Sequence, residues 1–587
     1  MTGEIMENNE IIAIETKIWE MANKLRGNMD AADYKNYILP FMFYRYLCDK
    51  QNRYLVDENI IEVEPGQDPA YAAMDLLFGT TDLAILRTYS KASKSFTNFH
   101  VEKKDENGKL QYDDNGDVVK ERVGKWVDDY QEFVKDCSAS IGYCIAPLYD
   151  WSVVQEMVES SGIQPEDFQS MFDSFNFSLK YNEEAKEKLQ GIFNDINLGS
   201  SQLGSSTNDR ARALAQIIGL VSEVTYSDGT GKDILGGIYE YLIKQFAASA
   251  GKKSGEFYTP HEVSMIMSKI VTYGFNKPNT EFTVFDPTCG SGSLLLTVGK
   301  ELPDGDKPGA VKYYGQELNT STFNIARMNM MMNNVGYESF NIRNANTLGP
   351  DWPDGVGKDR KPHTRTFDAV VANPPYSQNW DALEPNLNDP RFREYGGKLA
   401  PKSKADYAFV LDGLFHLNRE GTMAVVLPHG VLFRGAAEAS IRKALIDKNQ
   451  IDAVIGLPAN LFYGNTIPTI IMVLKKNKTN KDILVIDASQ HFAKSKNKNF
   501  LTQEDINRIV DAYKDRKDIE RFARVVSRQE VIDNDYNLNI PRYVDVSEEE
   551  PDIDLNEVEK QLKETDDQII ELQKKLNEQL MRLWGNN

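Results

Sequence analysis

The chain of 587 residues has few cysteines and histidines, four and six respectively. Its cysteines (Cys48, Cys137, Cys144 and Cys289) are far apart and stand mostly in apolar surroundings, and its histidines form no group. This distribution supports neither a disulfide framework nor a zinc site. It favours a protein of a reducing cytoplasm.

Long apolar runs are absent too. No stretch is long enough to span a bilayer. The amino terminus, Met-Thr-Gly-Glu-Ile-Met-Glu, is acidic and polar, unlike a signal or transit peptide. We therefore expect a cytoplasmic protein without a membrane segment.

Positive charge is scarce as well. Lys and Arg number 67 against 88 Asp and Glu, which gives a net charge of −21. A surface this acidic repels phosphates, so work on nucleic acid requires a local basic strip or a partner that supplies the grip. Lys494, Lys496 and Lys498 form one basic stretch, although most such runs are simply solvated faces.

The chain also lacks a phosphate-binding loop. Ser227–Asp233 superficially resembles one, but Lys232 is followed by Asp233 instead of Ser or Thr, and no strand leads into it. Asp233 is better interpreted as a helix N-cap. An ATP-driven motor is therefore not expected in this chain.

What the chain does have is a strand–helix alternation between residues 282 and 475. Short apolar, β-branched segments alternate there with helical patterns. This alternation predicts an α/β fold with a doubly wound sheet, whose ligands lie at the carboxyl ends of the strands. We count seven strands, the last beginning after Pro468, and one further strand at Asp482–Ala488.

The stretch Asp368–Tyr376 (Asp-Ala-Val-Val-Ala-Asn-Pro-Pro-Tyr) ends one of these strands. Pro374 and Pro375 cannot continue it, because they lack backbone N–H donors and fix their own φ angles. The stiff loop offers the Asn373 side chain and the Pro374 carbonyl as acceptors, and Tyr376 as a flat ring. This set suits the grip of an exocyclic amine on a planar heterocycle. The competing interpretation is a strand-ending turn with a polar Asn and a packed Tyr.

A glycine-rich turn precedes that stretch in the chain. Phe282–Leu296 predicts a strand, a turn at Asp286–Gly292 and a helix, and the glycines allow a ligand to approach the backbone closely. Leu295 stands where a dinucleotide-binding pattern has its third glycine, which disfavours a nicotinamide cofactor. The next strand ends at Glu317, where an acid suits the ribose hydroxyls of a nucleoside cofactor or is merely a solvated strand end.

The flanking regions divide the chain into four parts. We predict a mainly helical domain at 1–200 with an exposed β-hairpin near 100–126, connecting helices at 201–250, a catalytic domain at 251–490 and a C-terminal region at 491–587. In the last region, apolar residues alternate spacings of three and four over residues 555–584. This pattern predicts a coiled-coil helix, with a helix lying on its own domain as the alternative.

Four segments, in chain order, resemble the motifs of S-adenosylmethionine-dependent methyltransferases that act on adenine N6 in DNA: Gly255–Pro260, Asp286–Gly292, Glu317 and Asn373–Tyr376. Further segments are similar to the modification (methyltransferase, M) subunit of type I restriction-modification systems: Asn28–Leu47, Asp233–Ile243, Lys402–Val410 and the coiled-coil helix. The resemblance covers nearly the whole chain except the hairpin near 100–126. It implies a Rossmann-like class I methyltransferase fold with a seven-stranded sheet.

The resemblance also assigns the residues that bind S-adenosyl-L-methionine. Its methionine part is expected against Asp286 and the turn of Gly290, Ser291, Gly292 and Ser293. Its ribose is expected on Glu317 and its adenine on Asn346, which stands where many of these enzymes have an Asp. The loop that covers the cofactor from the other side comprises Glu256, Phe257, Tyr258, Thr259, Pro260 and His261.

The implied mechanism uses Asn373, Pro374, Pro375 and Tyr376. Asn373 and the Pro374 carbonyl would accept the two N6–H bonds of a flipped adenine, Pro375 would keep the loop stiff, and Tyr376 would stack on the base. Methyl transfer is then an in-line displacement driven mainly by positioning. We expect Phe392 or Tyr395 as a second ring.

Site choice is expected from a separate specificity subunit, because nothing after residue 490 is rich enough to form a DNA-reading core. The coiled-coil helix would dock on that subunit, with two copies of this chain per specificity subunit. A restriction subunit with the ATP-dependent motor and double-stranded DNA complete the expected partners.

Three alternatives remain open at this stage. A protein glutamine methyltransferase grips a similar amide, but such enzymes lack the N-terminal bundle and the coiled-coil tail. A catalytically silent scaffold conflicts with the intact motifs. A solitary methyltransferase with built-in specificity conflicts with the missing recognition domain.

Overall fold

The computed structural model describes residues 14–23, 29–83, 86, 100–102, 109–113, 116, 118–122, 124–160, 163–224, 235–250, 259–275, 280–305, 307–350, 364–462, 466–495, 498–546 and 555–584. Three predicted site residues, Glu256, Phe257 and Tyr258, lie outside these ranges.

A nine-stranded sheet forms the centre of the molecule. In chain order its strands are β1 (Phe282–Asp286), β2 (Val311–Glu317), β3 (Phe340–Asn344), β4 (Phe367–Ala372), β5 (Leu417–Pro428), β6 (Ile451–Gly456), β7 (Thr469–Lys475), β8 (Ile483–Asp487) and β9 (Ala523–Val526). Across the sheet they follow the order β9-β8-β6-β7-β5-β4-β1-β2-β3. Strand β7 is antiparallel to both neighbours and β9 is antiparallel to β8, while the other pairs are parallel.

The doubly wound α/β sheet is confirmed, but the predicted number of seven strands is wrong. The seven predicted strands are neighbours, and β8 and β9 extend the sheet beyond β6. The sequence indicates β8 as a strand without placing it in the sheet. Strand β9 has only four residues, two of them half-buried, which is too short for its side-chain alternation to stand out. The sheet therefore runs past residue 490, our predicted end of the catalytic domain.

Helices cover both faces of the sheet. One face carries His261–Val271, Ser293–Lys300, Thr320–Met332 and Gln503–Asp515, and the other carries Asp406–His416, Ala436–Asp447 and Arg528–Asp533. Strand β4 shows why both faces need cover: Ala369 and Val371 join the first core, and Val370 and Ala372 join the second. Successive side chains point to opposite faces, so an apolar run is buried on both sides.

The N-terminal region is helical, as predicted. Residues 14–23 are helical, followed by Ala31–Asp57, Pro69–Phe78, Gly124–Ile141, Trp151–Glu159, Pro165–Ser178, Glu183–Leu189, Thr207–Ser222 and Leu235–Ala250. Short 3-10 turns lie in this region at Pro147–Tyr149 and Leu179–Tyr181. Others follow later in the chain, at Tyr337–Ser339, Glu384–Asn388, His429–Leu432 and Ile540–Arg542. The aromatic residues of Ala31–Asp57 are core: Phe41, for example, meets the rings of Phe168 and Phe172.

This helical region packs on the helix that follows β2, Thr320–Met332. Ser321 donates to Asn36 at 2.8 Å, and the Arg327 guanidinium donates to the carbonyl of Lys188 at 2.8 Å. The two regions share one continuous apolar core. The N-terminal helices therefore brace the half of the sheet that carries β1 and β2.

Three further elements lie outside the central sheet, one of them the short pair Ala493–Lys494 and Asn499–Phe500. His100–Glu102 pairs antiparallel with Lys120–Arg122 inside the predicted excursion, whose Asn107-Gly108 turn lies outside the described residues. The C-terminal helix is Leu555–Trp584, and every side chain in it is exposed except half-buried Leu580. The alternative of a helix lying on its own domain is thus wrong for the described part of the chain.

No helix in the described ranges combines the length and the apolar character needed to cross a membrane. All four cysteines are buried as free thiols.

Candidate active site

The predicted motifs meet at one edge of the sheet. Strands β4, β1 and β2 are parallel neighbours, so their carboxyl ends lie side by side. Asp286 ends β1, Glu317 ends β2 and Asn373 follows β4 directly. The glycine-rich turn, Glu317 and the Asn-Pro-Pro-Tyr loop therefore lie at the same edge of the sheet.

The glycine-rich turn is built around Asp286. Its Oδ1 accepts a hydrogen bond from the Thr288 N–H at 2.8 Å. Gly290 and Gly292 have φ angles of 54° and 79°, in the left-handed region that favours glycine. A Cβ on Gly292 would lie 2.8 Å from Met330, whereas a Cβ on Gly290 would meet no atom within 4 Å. The backbone conformation therefore favours glycine at both positions, Met330 would have to shift for a side chain at 292, and the Gly290 side of the turn is open to a ligand.

The helix that follows β2 supports this turn from behind. Asn329 Nδ2 donates to the Ser291 carbonyl at 2.9 Å, and the hydroxyls of Ser291 and Ser293 lie 3.1 Å apart. Gly292 is the N-cap residue of the helix Ser293–Lys300. The free N–H groups at that helix start face the same edge, as anion-binding turns require.

Glu317 is tied to the turn instead of being merely solvated. Its Oε2 accepts from the Gly290 N–H at 3.1 Å, and its Oε1 accepts from the Asn319 N–H at 2.7 Å. Leu318, the next residue, is an apolar side chain that is 68% exposed. An acid and an exposed apolar side chain at adjacent positions can serve a ribose and a flat base, respectively.

Asp286 and Glu317 shape the electrostatics of the edge. The pKa of Asp286 is raised to about 7, mainly by burial and further by the negative charge of Glu317, against the lowering effect of the Thr288 hydrogen bonds. A buried carboxyl in this state gains from a cation placed beside it. The amino group of an amino-acid cofactor is such a cation.

Asn346 lies at the same edge, in the exposed loop after β3. Its Oδ1 accepts from the Leu348 N–H at 3.2 Å. The neighbouring Thr347 hydroxyl donates to the carbonyl of Pro287, which fastens this loop to the glycine-rich turn. The structure therefore brings Asn346 together with Asp286 and Glu317.

The described end of the predicted covering loop touches the other motif. Thr259 Oγ1 accepts a hydrogen bond of 3.0 Å from Asn373 Nδ2. Pro260 is buried at the start of the helix His261–Val271, and His261 itself is exposed. Thr259 thus lies between the expected cofactor side and the Asn-Pro-Pro-Tyr loop.

The Asn-Pro-Pro-Tyr loop forms a compact unit. The Tyr376 hydroxyl donates to Asn373 Oδ1 at 2.8 Å. Pro374 is buried, Pro375 is half-buried, and all peptide bonds of the loop are trans. Burial raises the pKa of Tyr376 far above its usual range, so its hydroxyl remains a donor.

Two charged residues that sequence reasoning gave no role hold the turn after this loop. Ser377 has a φ of 51°, and its N–H donates to Asp406 Oδ1 at 2.9 Å. Asp406 is buried, and its Oδ2 accepts from Arg434 Nη1 at 2.9 Å. Arg434 also donates to Glu438. Asp406 stands in a segment that carries the family resemblance, but no local pattern reveals its distant partners.

A buried arginine connects the segment that follows Tyr376 to the loop that carries Asn346. Arg391 is 2% exposed, and its guanidinium donates to the carbonyls of Thr347 and Gly349 at 2.8 and 2.9 Å. It also donates to Asp412 at 2.9 Å and to Asp389 at 2.7 Å. The segment after Tyr376 is thereby fixed to the Asn346 loop.

The two aromatic residues expected to supply a second ring, Phe392 and Tyr395, pack away from Tyr376. Phe392 packs against Trp380 and, with Tyr395, belongs to the core on the opposite face of the sheet. Phe462 instead lies against Tyr376, with ring centroids 6.3 Å apart and planes at 79°. Phe462 follows β6, where the strand ends at the same edge. An aromatic five residues after the predicted strand Ile451–Leu457 was the available signal.

The residues at this edge fit S-adenosylmethionine. The turn at Gly290 is open to a ligand, and the buried Asp286 carboxyl would be stabilised by a cation. Glu317 and Leu318 offer an acid and an apolar side chain at adjacent positions. Asn373 and Tyr376 lie in the loop after the neighbouring strand β4, within reach of a second, planar substrate. The arrangement therefore has two half-sites whose ligands would meet between β1 and β4.

Comparisons with known proteins identify the family of this chain. The family model for N-6 DNA methylases matches residues 230–552, and the model for the HsdM N-terminal domain matches residues 14–221. The type I restriction enzyme MpnII methylase subunit of Mycoplasma pneumoniae is 34% identical over 582 residues, covering 96% of this chain and 94% of its own length. The MjaVIII methylase subunit of Methanocaldococcus jannaschii is 34% identical over 72% of this chain and 70% of its own length.

A solved structure agrees with these matches. The type I restriction-modification system methyltransferase subunit from Streptococcus thermophilus superposes with a TM-score of 0.73 at 39% identity, covering 91% of this chain and 99% of that one. The predicted class I methyltransferase fold and the resemblance are thereby confirmed. With its adenine-methylating motifs gathered at one sheet edge, the chain belongs to the N-6 DNA methylase family, as a type I methylase subunit and adenine-specific DNA methyltransferase.

Proposed function

We propose that this chain transfers the methyl group of S-adenosyl-L-methionine to N6 of an adenine flipped out of double-stranded DNA, at sites chosen by a separate specificity subunit. The observation that carries the proposal is the adjacency of β1 and β4. It sets the Asp286 turn and the Asn373–Tyr376 loop side by side at one sheet edge. A methyl donor and a base held there would face each other.

The cofactor half-site uses the glycine-rich turn and its neighbours. Asp286 would pair with the methionine amine, the turn from Gly290 to Ser293 would follow the methionine chain, Glu317 would bind the ribose hydroxyls, and Asn346 would accept from the adenine. Thr259, Pro260 and His261, with Glu256, Phe257 and Tyr258, would close the other side. The bound cofactor supplies an electrophilic sulfonium methyl group.

The base half-site compensates for a weak nucleophile. The N6 lone pair of adenine is delocalised into its ring, so attack requires a pyramidal nitrogen. Asn373 Oδ1 and the Pro374 carbonyl accept the two N6–H bonds and favour that geometry. Pro374 and Pro375 fix the loop, so that its acceptors need no rearrangement. The proton that N6 loses after transfer passes to water, because amide carbonyls do not hold it at neutral pH.

Aromatic rings would hold the flipped base in place. Flipping costs roughly a few kcal/mol, and stacking on one aromatic ring recovers roughly 1–3 kcal/mol. Tyr376 offers the first ring, and Phe462, whose edge meets Tyr376, offers a second wall to the same pocket. Placement of these rings, more than any proton transfer, would determine the rate.

The C-terminal helix supports docking on a specificity subunit. Its seam residues are exposed on a helix that has no cover within the described chain: Leu555, Val558, Leu562, Ile569, Leu572, Leu576 and Leu583. A heptad seam of this length is stable when it packs on another helix. Two copies of the chain would flank one specificity subunit, and a restriction subunit with the ATP-dependent motor would complete the assembly.

The test is product identification. The chain is co-purified with its cognate specificity subunit and incubated with methyl-labelled cofactor and DNA, and the digested DNA is analysed by mass spectrometry. We expect N6-methyladenine with the pair and far less with the chain alone. Label on glutamine of a co-purified protein, with none in DNA, would support the protein methyltransferase alternative. Defined-site methylation by the chain alone would remove the specificity subunit from the account.

A further inference from the structure

A small basic hairpin follows β8 and is not used by the function proposed above. Ala493–Lys494 pairs antiparallel with Asn499–Phe500. The Ser495 N–H donates to the Lys498 carbonyl at 2.8 Å, which closes the hairpin. Lys494 is exposed and Lys498 is half-buried.

The hairpin is tethered to the loop that carries Phe462. The backbone N–H of Asn499 donates to the Asn460 carbonyl at 2.9 Å, and its side-chain amide donates to the Ala459 carbonyl at 2.8 Å. Phe462 lies two residues further along and meets the Tyr376 ring. Two residues of chain span about 7 Å at most, so the tether lies within about 20 Å of Tyr376.

The charge of this segment contrasts with the rest of the chain. Residues 488–503 contain three lysines and no Asp or Glu, in a protein with a net charge of −21. A duplex carries about one phosphate per 3.4 Å of axis on each strand, so several phosphates pass within about 20 Å of any flipped base. A solvated basic face could lie anywhere on the surface. This basic hairpin is hydrogen-bonded to the loop that carries Phe462, beside the expected base pocket.

We infer that Lys494 and Lys498 contact backbone phosphates of the DNA strand that supplies the target adenine. The inference rests on the proposed function, since it assumes that the base enters beside Tyr376 and Phe462. The contact is ionic and independent of sequence, so it positions the strand without choosing the site. It supplies a local grip on a chain whose overall charge repels DNA.

The double variant Lys494→Gln with Lys498→Gln tests this contact. The chain and its specificity subunit are purified as a complex, and binding to a fluorescein-labelled duplex of about 30 base pairs is followed by anisotropy at several salt concentrations. Each lysine–phosphate pair adds about 0.9 to the steepness with which log affinity falls against log salt. We therefore expect the slope of the variant to be shallower by about two for each bound copy of the chain, with cofactor affinity unchanged.

The matched control is Lys307→Gln with Lys517→Gln. Both side chains are exposed, at 70% and 75%, and lie at the opposite edge of the sheet. Lys307 precedes β2, and Lys517 follows Arg516, which binds Asp482 just before β8. We expect this variant to keep the wild-type slope.

Two results overturn the inference. One is a wild-type slope in the Lys494/Lys498 variant. The other is loss of the complex on size exclusion, which would assign the hairpin to the protein partner. If the wild-type complex forms no N6-methyladenine but the slope is still shallower in the variant, the proposed function fails while the phosphate contact stands. If wild type methylates DNA and the slope is unchanged, only the phosphate contact fails.

Discussion

The Tyr376 hydroxyl donates a hydrogen bond of 2.8 Å to Oδ1 of Asn373, whose amide nitrogen donates in turn to Thr259 at 3.0 Å. The Asn373 amide is thereby fixed in one orientation. A carbonyl oxygen has two lone pairs, so Oδ1 keeps one acceptor position for an amine. The residue expected to grip adenine N6 is thus held in place by the residue expected to stack on it.

Substitutions of Tyr376 separate its two roles. Tyr376→Phe keeps the ring but removes a hydrogen bond with a net contribution of about 0.5–1.5 kcal/mol, so we expect up to about a tenfold fall in kcat/KM. Tyr376→Ala also removes roughly 1–3 kcal/mol of stacking, and its kcat/KM should fall by a further factor of about 5 to 150. Methyl-transfer kinetics with saturating cofactor measure both values. Equal activity of the Phe and Ala variants would remove stacking from the mechanism.

Asp406 is expected to position the loop by holding the turn at Ser377. Asp406→Ala removes the acceptor of the Ser377 N–H and one carboxylate partner of Arg434. Arg434 keeps Glu438, so the main loss is the acceptor of the Ser377 N–H, which costs about 1–3 kcal/mol. We expect that loss in denaturant unfolding, together with slower methyl transfer and nearly unchanged cofactor affinity.

The exposed pair of Glu394 and Lys448 provides the control for Asp406, because Glu394→Ala should cost less than about 1 kcal/mol. An Asp406→Ala variant as stable as this control would show that the buried pair does not hold the turn.

The motifs could be predicted from sequence because each is local. Asp286 and Glu317 end apolar segments, and Asn373 precedes two prolines that must end a strand. Their meeting at one edge follows from parallel pairing alone.

The supporting contacts are not local, and this is why they escaped prediction. Arg391 binds Thr347, Asp406 binds Arg434, and Phe462 meets Tyr376 across long intervals of sequence. No periodicity encodes such contacts. Strand β9 was missed for another reason, since four residues with two half-buried side chains carry too little pattern.

Cofactor binding should depend on pH through Asp286. Its pKa, raised to about 7 mainly by burial, leaves a large fraction of the carboxyl neutral at neutral pH without a cation beside it. The cofactor amine favours the carboxylate, so we expect affinity to rise between about pH 6 and pH 8 in calorimetric titrations. Asp286→Asn should bind weakly with little pH dependence. A wild-type affinity that is constant over this range would contradict the pairing of the amine with Asp286.

The same group affects stability in the opposite sense. A carboxyl whose folded pKa lies above its unfolded value contributes stability that is present below about pH 4 and lost as pH rises through about 7. Without cofactor, Asp286→Asn should therefore gain melting temperature relative to wild type near pH 8 and lose most of that gain near pH 5. An equal difference in melting temperature between the variant and wild type at the two pH values would show that ionisation of Asp286 does not destabilise the fold.

The exposed seam of Leu555–Trp584 can be tested by adding charge. Leu576 is 56% exposed, so Leu576→Glu should leave the melting temperature of the isolated chain unchanged while weakening its association with the specificity subunit by about tenfold or more. Asn577→Glu adds the same charge to the adjacent face and serves as the control. Sedimentation with the specificity subunit gives both affinities, and equal affinities for the two variants would place the partner elsewhere.

The central claim is that one sheet edge joins a cofactor half-site to an adenine half-site, with Asn373 as the grip on N6. Asn373→Ala tests it with two readings on one sample: cofactor affinity by calorimetry and N6-methyladenine formation in DNA. We expect cofactor affinity within about threefold of wild type and methylation reduced by at least about a hundredfold, since loss of an acceptor aimed at the reacting group costs about 3 kcal/mol. Methylation at the wild-type rate by Asn373→Ala would contradict the claim.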